Sequence, residues 1–216
     1  RWWYVLLNNM RNSEFDSSDE EDAAEEQTPL LISWLPLSVV EWSQFLGICA
    51  LPGCKYKDVR RNLQKDIGEL RGQGVEEVFV FCTRGELQKY RVPQLIEVYK
   101  QQGLSVHHRP FPDGGTPELE QCCQILEELQ YSLQNNRRVV MHCYGGLGRS
   151  GLMAACLLLQ LSGSMTPDKA IEILRELRGA GAIQTVKQYN FLHDFRERSA
   201  AYQATKEVAA ERSVSR

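Results

Sequence analysis

The feature of this sequence that most restricts its fold is a continuous apolar run that leads directly into a glycine-rich bend. Residues 138–142 read RVVMH, and residues 143–148 read CYGGLG before a helical pattern begins near Arg149. The run lacks polar alternation, which predicts a strand that is covered on both of its faces. Strands of this kind occur in parallel sheets with helices above and below, so the segment favours an α/β fold.

Strand and helix patterns alternate along the rest of the chain, as an α/β fold requires. Further strands are predicted at 44–51, 76–82 and 104–110. Helices are predicted at 58–72, 91–102, 117–135, 149–162, 167–178 and 185 to about 210. Thr116 and Thr166 each stand before a proline, which predicts a helix N-terminus capped by the threonine hydroxyl. The predicted architecture is one α/β domain with a central, mostly parallel, twisted sheet flanked by helices.

Acidic residues are concentrated near the N-terminus. Eight of them lie in 14–26, together with serine and a single aromatic residue. A segment of this composition cannot bury enough apolar area to offset the entropy of ordering it, so 1–28 is predicted to be a disordered acidic tail. The folded domain is expected at 29–212, followed by a short C-terminal tail at 213–216.

Composition argues against several classes of protein. From residue 55 onward, 23 Lys and Arg face 19 Asp and Glu, an excess that suits an anionic substrate but is too scattered to predict nucleic-acid binding. No stretch approaches the roughly 20 apolar residues of a membrane span. The seven cysteines form no C-x-x-C pair and the four histidines lack metal-ligand spacing, so we expect free thiols in a reducing compartment, no metal and no cofactor.

The bend at 142–150 is the strongest candidate for a functional site. Its glycines permit positive φ angles, so the backbone can turn its amides inward and form a nest for a multiply charged anion at a helix N-terminus. The loop residues expected to surround that anion are Tyr144, Gly145, Gly146, Leu147, Gly148 and Arg149. The sequence therefore predicts an oxyanion site directly after the buried strand.

Three side chains of this bend have the chemistry for phosphoryl transfer. Cys143 is expected at the floor of the nest, where the positive field favours the nucleophilic thiolate. The planar guanidinium of Arg149 can hold two oxygens of a tetrahedral anion. Ser150 could donate a hydrogen bond to the sulfur when it becomes a leaving group. Together they predict in-line displacement through a phosphocysteine intermediate, with His142 as a supporting residue before the nucleophile.

A leaving oxygen needs a proton, so a general acid is expected near the cysteine. Asp113 lies in the FPDGGT loop that follows the predicted strand 104–110. The TRGE loop after the predicted strand 76–82 should reach the same place, because the carboxyl ends of parallel strands share one edge. Other aspartates considered, Asp58, Asp66, Asp168 and Asp194, lie in predicted helices. Asp113 is thus the favoured acid.

These residues resemble the dual-specificity members of the cysteine-dependent protein tyrosine phosphatase superfamily, whose signature is a strand, an H-C-x5-R-S/T loop and a helix. The resemblance extends to VFVFCTRGELQKYRVP, DGGTP and GAIQTVKQYNFL. It implies a protein tyrosine phosphatase-like fold and hydrolysis of phosphothreonine, phosphoserine and phosphotyrosine. The roles it implies match those above: nucleophile for Cys143, phosphate binding for Arg149 and acid for Asp113. It also suggests that Gln184, in a segment similar to a glutamine loop, orients the hydrolytic water.

The resemblance further implies partners and a location. The expected partners are phosphorylated cyclin-dependent kinases, with or without a cyclin, which would lose the activating phosphate of their activation loop so that cell-cycle progression is restrained. A monomer is expected, in the cytoplasm, including its perinuclear part, and in the nucleus. No nucleic acid or membrane is among the expected partners.

Three other functions compete with this interpretation. A non-catalytic inhibitor could mask a kinase by binding alone, although an intact set of Cys143, Arg149 and Asp113 argues against pure masking. A rhodanese-type sulfurtransferase also carries a cysteine in an anion-binding loop. A phosphoinositide phosphatase typically places lysines in this loop, whereas YGGLG is uncharged, so a lipid substrate is disfavoured.

Overall fold

The computed structural model describes residues 27–214 and has a central five-stranded sheet and a separate two-stranded hairpin. The strands are β1 (Ser33–Pro36), β2 (Phe45–Cys49), β3 (Lys55–Tyr56), β4 (Val59–Arg60), β5 (Glu77–Val80), β6 (Ser105–His108) and β7 (Val139–His142). A short 3₁₀ helix, Leu37–Val40, follows β1. The α-helices are α1 (Leu63–Gly72), α2 (Arg84–Lys89), α3 (Leu95–Gln101), α4 (Leu119–Gln134), α5 (Arg149–Leu161), α6 (Pro167–Arg178) and α7 (Val186–Val214).

The sheet is mostly parallel, as predicted. Its strand order is β1-β2-β7-β5-β6, and β2, β7, β5 and β6 run parallel to one another. The edge strand β1 pairs antiparallel with β2 and was not predicted from the sequence. The predicted mostly parallel α/β sheet is confirmed.

Helices cover both faces of this sheet, which explains the uniformly apolar run at β7. Val139 and Met141 point into the core cluster shared with α4, α5, α6 and α7. Val140 points to the opposite cluster, which contains residues of α1 and α3. Because side chains alternate along a strand, a central strand between two cores must be apolar at every position.

Two helix starts differ from the sequence prediction. The helix predicted from residue 58 begins at Leu63, because β3 and β4 form a hairpin in which Lys57 has a φ of 54°. Asn62 then caps α1 by accepting from the Lys65 amide at 3.0 Å. The six-residue helix α2 was missed, and the prediction of a helix from residue 91 is wrong up to Leu95, where α3 begins.

The predicted cap at Thr116 is wrong, whereas the cap at Thr166 is confirmed. Helix α4 starts after Glu118, and no side chain caps it. Thr185 and Gln188 donate to the carbonyls of Gly114 and Gly115 in the preceding loop, and Glu118 still has an extended backbone, with a φ of −60° and a ψ of 149°. Thr166 Oγ1 accepts from the Lys169 amide at 3.1 Å, with Pro167 in the first turn of α6.

Most of the predicted acidic tail, residues 1–26, lies outside the described residues. Its last two residues, Gln27 and Thr28, contact the domain. Gln27 Nε2 donates to Asp66 Oδ1 at 3.0 Å, and Arg61 Nη2 donates to the Thr28 carbonyl at 2.9 Å. At the other end, α7 continues to Val214. The described fold therefore begins before residue 29 and continues beyond residue 212.

All seven cysteines are free thiols. Among residues 27–214, no group of three or more His, Cys, Asp or Glu side chains is arranged so that it could hold a metal ion. Over the same range, no helix combines the length and the apolar character needed to cross a bilayer.

Candidate active site

Four parallel strands end at one edge of the sheet, and their loops meet there. His142 at the end of β7 is in register with Cys49 of β2 and with Val80 of β5, and Val80 is in register with His108 of β6. The loop that begins at Cys143, the turn before α2 and the loop that contains Asp113 therefore share this edge. The sequence expectation that these three loops converge is confirmed.

His142 fixes the backbone at the start of the loop. The Cys143 carbonyl can only accept a hydrogen bond, so His142 Nδ1 donates to it at 3.3 Å. The other ring nitrogen, Nε2, then accepts from the buried Tyr99 hydroxyl at 2.8 Å. Burial lowers the pKa of His142 to about 4, and the positive charge of Arg149 acts in the same direction against the hydrogen bond to Cys143. His142 is therefore a neutral anchor rather than a charged group.

This anchor predicts a specific acid sensitivity of the fold. The folded-state pKa of about 4 lies below the ordinary 6.5, so below about pH 6.5 the unfolded chain binds a proton that the folded chain excludes. The contribution of His142 to the free energy of unfolding is fully present above that pH and is lost as pH falls towards 4. We expect His142 to account for a fall of about 3 kcal/mol in the free energy of unfolding over this interval.

Denaturant titrations from pH 7 to pH 4 measure this effect. A His142→Asn variant should be less stable at pH 7, because it loses the Tyr99 contact, and its stability should fall less steeply with acid. Parallel pH profiles for the two proteins would contradict the prediction. A His193→Asn variant on the partly exposed face of α7 serves as the control.

The loop backbone is oriented by an arginine from α6. Arg178 Nε donates to the Gly146 carbonyl and Nη2 to the Gly145 carbonyl, both at 3.0 Å. In a trans peptide the N–H points opposite to the C=O, so the amides of Gly146 and Leu147 face away from Arg178 and into the loop. Within the described chain, the amides of 144–148 donate to no carbonyl or side chain. They form the predicted nest for an anion.

Gly146 is the position in the loop where a side chain is least tolerated. Its φ is +67°, and an added Cβ would lie 2.3 Å from the Cys49 carbonyl oxygen and 2.8 Å from Arg178 Nη2. Both the backbone angle and the close approach of β2 require glycine here. The predicted role of this glycine in shaping the loop is therefore supported by its surroundings.

A Gly146→Ala variant is expected to lose about 2 kcal/mol or more of unfolding free energy and at least about tenfold in phosphatase activity, because the loop must shift. Thermal or urea unfolding together with aryl phosphate hydrolysis would measure both. Gly68→Ala is the matched control: it lies inside α1 with no atom within 4 Å of the added Cβ, and it should gain about 1 kcal/mol. Equal effects of the two substitutions would contradict the steric argument.

Cys143 lies buried at the base of this nest, next to the N-terminus of α5. Its residue exposure is 3 %. Two other buried thiols lie near the site: burial raises the pKa of Cys49 to about 12 and raises the pKa of Cys82 as well. Those thiols are inert at neutral pH. The hydroxyl of Ser150 is buried and forms no hydrogen bond with any described residue, the Cys143 sulfur included.

The guanidinium of Arg149 is fully buried and is held by an acid that the sequence analysis did not name. Arg149 Nη1 and Nη2 donate to the two carboxylate oxygens of Glu86 at 2.9 and 2.7 Å. Nη1 also donates to the carbonyls of Phe81 and Phe111, at 3.2 and 3.1 Å. Arg149 Nε is buried without a partner among the described residues. One N–H of the guanidinium thus remains free to bind an anion.

Glu86 itself is fixed by a capping box at the start of α2. Its side chain accepts from the Thr83 amide at 2.7 Å, while Thr83 Oγ1 accepts from the Glu86 amide at 3.2 Å. Burial would raise the pKa of Glu86, but the hydrogen bonds from Arg149 and Thr83 lower it overall. The same ion pair raises the pKa of Arg149 against the effect of burial. The T-x-x-E pattern of TRGE, a capping-box signature at the right edge, could have identified Glu86.

Asp113 lies at the mouth of the same site. Its carboxylate is 3.4 Å from Arg149 Nη2, and its side chain is 63% exposed. The loop behind it is clamped by the start of α7: Thr185 Oγ1 donates to the Gly114 carbonyl at 2.8 Å, and the buried Gln188 Nε2 donates to the Gly115 carbonyl at 3.1 Å. The structure therefore brings Asp113 to Arg149, as the shared-edge argument predicted.

Gln184 also reaches the loop. A Cβ added to Gly148 would lie 2.6 Å from Gln184 Oε1, so the amide oxygen of Gln184 lies against the loop backbone. The backbone of Gln184 is held by Gln188 Oε1, which accepts from its amide at 2.9 Å. Gln188 was missed by the sequence analysis because a glutamine in a helical pattern carries no signal of burial.

A sheet edge with a buried cysteine, an amide nest and an arginine held in a carboxylate fork defines the chain as a phosphatase of the cysteine-dependent protein tyrosine phosphatase class. A crystal structure of kinase-associated phosphatase, with its catalytic-site cysteine replaced by serine, has a TM-score of 0.80 and 62% sequence identity over 82% of this chain and 99% of that chain. The phosphatase Tk-PTP in its active form has a TM-score of 0.59 and 25% identity, over 71% of this chain and 92% of that chain.

Sequence comparisons narrow this class. The family model for cyclin-dependent kinase inhibitor 3 matches residues 7–171. A Sus scrofa protein of that name is 62% identical over 208 residues, which cover 96% of this chain and 98% of the relative. The Homo sapiens protein of the same name is 60% identical over the same coverage. The chain belongs to the cyclin-dependent kinase inhibitor 3 family.

Proposed function

We propose that this phosphatase removes the activating phosphate from the activation loop of a cyclin-dependent kinase, with or without its cyclin, and so restrains cell-cycle progression. The observation that carries the proposal is the convergence of Cys143, the inward-facing amides, Arg149 and Asp113 at one sheet edge. The names of the relatives, cyclin-dependent kinase inhibitor 3 and kinase-associated phosphatase, support a kinase as the partner.

In the proposed reaction, Cys143 Sγ attacks phosphorus and the bond from phosphorus to the substrate oxygen breaks. Asp113 donates its proton to that oxygen, which leaves as the alcohol or phenol. The loop amides and Arg149 hold the equatorial oxygens throughout. Water, oriented by Gln184, then attacks phosphorus; the bond from phosphorus to sulfur breaks, and the proton of the water returns to Asp113.

Ser150 has a distinct part in the second step. Its buried hydroxyl has no partner among the described residues, so it can donate to the sulfur as negative charge returns there. A buried donor without a partner costs about 1–3 kcal/mol, and this cost is recovered when the hydroxyl finds an anionic acceptor. The arrangement supports the role that the sequence analysis gave to Ser150.

The acid role of Asp113 predicts a dependence on the leaving group. Asp113→Ala is expected to slow hydrolysis of aryl phosphates by about 10²–10³-fold when the leaving phenol is a poor one, and much less when it is a good one, because only the poor one needs the proton. A series of aryl phosphates of graded phenol pKa measures this. Asp194→Ala, on the exposed side of α7, is the control, and equal slowing across the series would contradict the role.

The proposed substrate is tested by phosphate release from a phosphothreonine-bearing cyclin-dependent kinase, alone and with cyclin. Matched phosphotyrosine peptides and an inositol phospholipid serve as competing substrates. We expect the kinase and the phosphotyrosine peptide to be hydrolysed and the lipid to be a poor substrate, because the loop has no lysine. Faster hydrolysis of the lipid would overturn the proposal.

The principal alternative is a binding inhibitor without catalysis. It predicts that kinase activity falls in proportion to the complex formed, with phosphate still on the kinase. The proposed function predicts phosphate loss at sub-stoichiometric amounts of enzyme. A sulfurtransferase would instead turn over thiosulfate and cyanide and release no phosphate.

The cytoplasm, including its perinuclear part, and the nucleus are the proposed sites of action. Seven free thiols are what a reducing compartment maintains. Recovery of the protein only from the secretory pathway in fractionated cells would overturn this part of the proposal.

A further inference from the structure

A wall of three tyrosine rings extends the phosphate loop outward. Tyr144 follows the nucleophile, and its ring stacks on Tyr90, with centroids 4.6 Å apart. Tyr56, on the β3–β4 hairpin, makes edge contacts with both rings, at 5.1 Å from Tyr90 and 6.1 Å from Tyr144. The hairpin is tied to this wall by the Lys55 amide, which donates to the Tyr90 carbonyl at 3.0 Å. The wall is therefore a fixed part of the site.

Two ammonium groups lie on this wall. Lys89 Nζ is 5.1 Å from the centroid of the Tyr56 ring and 5.8 Å from that of Tyr90. Lys57 Nζ is 5.5 Å from the Tyr56 centroid. Contact with a ring face positions an ammonium without neutralising it. We call Tyr56, Lys57, Lys89, Tyr90 and Tyr144 the cationic rim.

Lys57 and Lys89 form no ion pair with any residue in 27–214. Lysines that form ion pairs there are Lys100, Lys169 and Lys206. The hairpin adds further positive charge, since KYKDVR at 55–60 contains three cations and one acid. Arg60 uses its guanidinium on the carbonyls of Lys57 and Val59 rather than on a carboxylate. Lys57 is also held in a left-handed backbone conformation, with a φ of 54°.

One member of the rim, Tyr90, also lies close to the acidic residues of the active site. The pKa of Tyr90 is raised to about 12, first by burial and then by the negative charges of Glu86 and Asp113. Tyr90 is therefore close both to the carboxylates of the site and to Lys89 outside it. Through Tyr56 and Tyr90, the two lysines are linked by ring contacts to Tyr144, which directly follows Cys143 in the loop.

We propose that the cationic rim is a subsite for a second anionic group on the phosphoprotein, a carboxylate or a second phosphate close to the phosphorylated residue. The proposal rests on the phosphoprotein phosphatase function above and adds a determinant of substrate choice to it. The rim selects among phosphoproteins by charge, whereas Cys143 and its loop recognise the phosphoryl group common to all of them.

The test compares kcat/KM for phosphothreonine peptides in which one Glu, or one phosphoserine, is moved through the positions flanking the phosphothreonine, each matched to a Gln peptide. We expect a preference of about fivefold for the anionic peptide at the contacted position, diminishing at high salt. In a Lys57→Asn, Lys89→Gln double variant this preference should disappear. Asparagine tolerates the left-handed backbone at residue 57.

The matched control is a Lys100→Gln, Lys169→Gln double variant, which removes the same charge from α3 and α6 and should retain the preference. Comparison of the Glu and phosphoserine peptides shows which anion the rim takes. Equal preference in wild type and the rim variant would overturn the proposal, and so would an equal loss in the control pair. If the rim variant accelerates neutral peptides and deletion of 1–26 abolishes that gain, the rim is covered by the chain's own acidic segment and the proposal is wrong.

These outcomes separate the subsite from the proposed function. A wild-type enzyme that hydrolyses the neutral phosphopeptides without any charge preference retains its function and lacks the subsite. A wild-type enzyme that releases no phosphate from any of these peptides fails the proposed function itself.

Discussion

A Cys143→Ser variant is expected to lose phosphatase activity by about 10⁴-fold or more while it still binds phosphorylated protein. A serine hydroxyl is not ionised at neutral pH, so neither the field of the α5 N-terminus nor the amide nest can turn it into a comparable nucleophile. The nest and Arg149 do not depend on the sulfur, since their contacts involve Arg178, Glu86 and backbone carbonyls. The anion site therefore remains.

Phosphate release and equilibrium binding to a phosphothreonine protein measure the two parts of this prediction. Cys123→Ser is the matched control, because that thiol is also buried but belongs to α4, and it should keep full activity. Turnover close to that of the wild type would remove Cys143 from the reaction. Loss of binding together with activity would mean that the sulfur shapes the anion site.

Arg149→Lys is expected to lower kcat by about 10³-fold, the second largest effect. A lysine ammonium cannot form the two parallel hydrogen bonds to Glu86 and present a further N–H to a phosphoryl oxygen at the same time. Charge is conserved, so the loss reports geometry rather than electrostatics. The variant should also bind inorganic phosphate or tungstate more weakly.

A second arginine provides a matched control for this substitution. Arg109, directly after β6, forms another arginine–glutamate pair outside the phosphate loop, with its Nη2 2.5 Å from Oε1 of Glu128 on α4. Arg109→Lys should retain activity within a small factor. If Arg149→Lys were equally active, the arginine fork would not be part of transition-state binding.

Some features of the fold and of the site could be predicted from the sequence, and others could not. The strand at 139–142, the glycine-rich loop and α5 are contiguous, so their apolar run, glycines and helical pattern encode the geometry locally. Asp113 was also within reach, because parallel strands end at one edge and only one considered aspartate followed such a strand. By contrast, the predicted start of α1 was wrong because the left-handed turn at Lys57 contains no glycine that would indicate a turn in the sequence.

Contacts between distant segments could not be predicted from the sequence, for a physical reason. Glu86 is separated from Arg149 by 63 residues, Arg178 from Gly145 by 33, and Gln188 from Gly115 by 73. Such pairs leave no periodic pattern, since each is created only when helices and loops pack around the same sheet edge. Burial then determines how strong these contacts are, because an arginine–carboxylate pair or an amide hydrogen bond that is weak in water becomes stronger when solvent is excluded.

The parallel α/β architecture and the anion-binding loop could be predicted from the sequence, and so could Cys143, Arg149 and Asp113 as the proposed nucleophile, phosphate-binding arginine and acid, because each depends on local pattern and chain direction. Tertiary structure alone decided that Glu86 orients Arg149, that Arg178 turns the loop amides inward, and that Gln188 holds the acid loop. It also placed Lys89 and Lys57 on the tyrosine wall, although they lie 54 and 86 residues before Cys143 in the sequence and only folding brings these segments together.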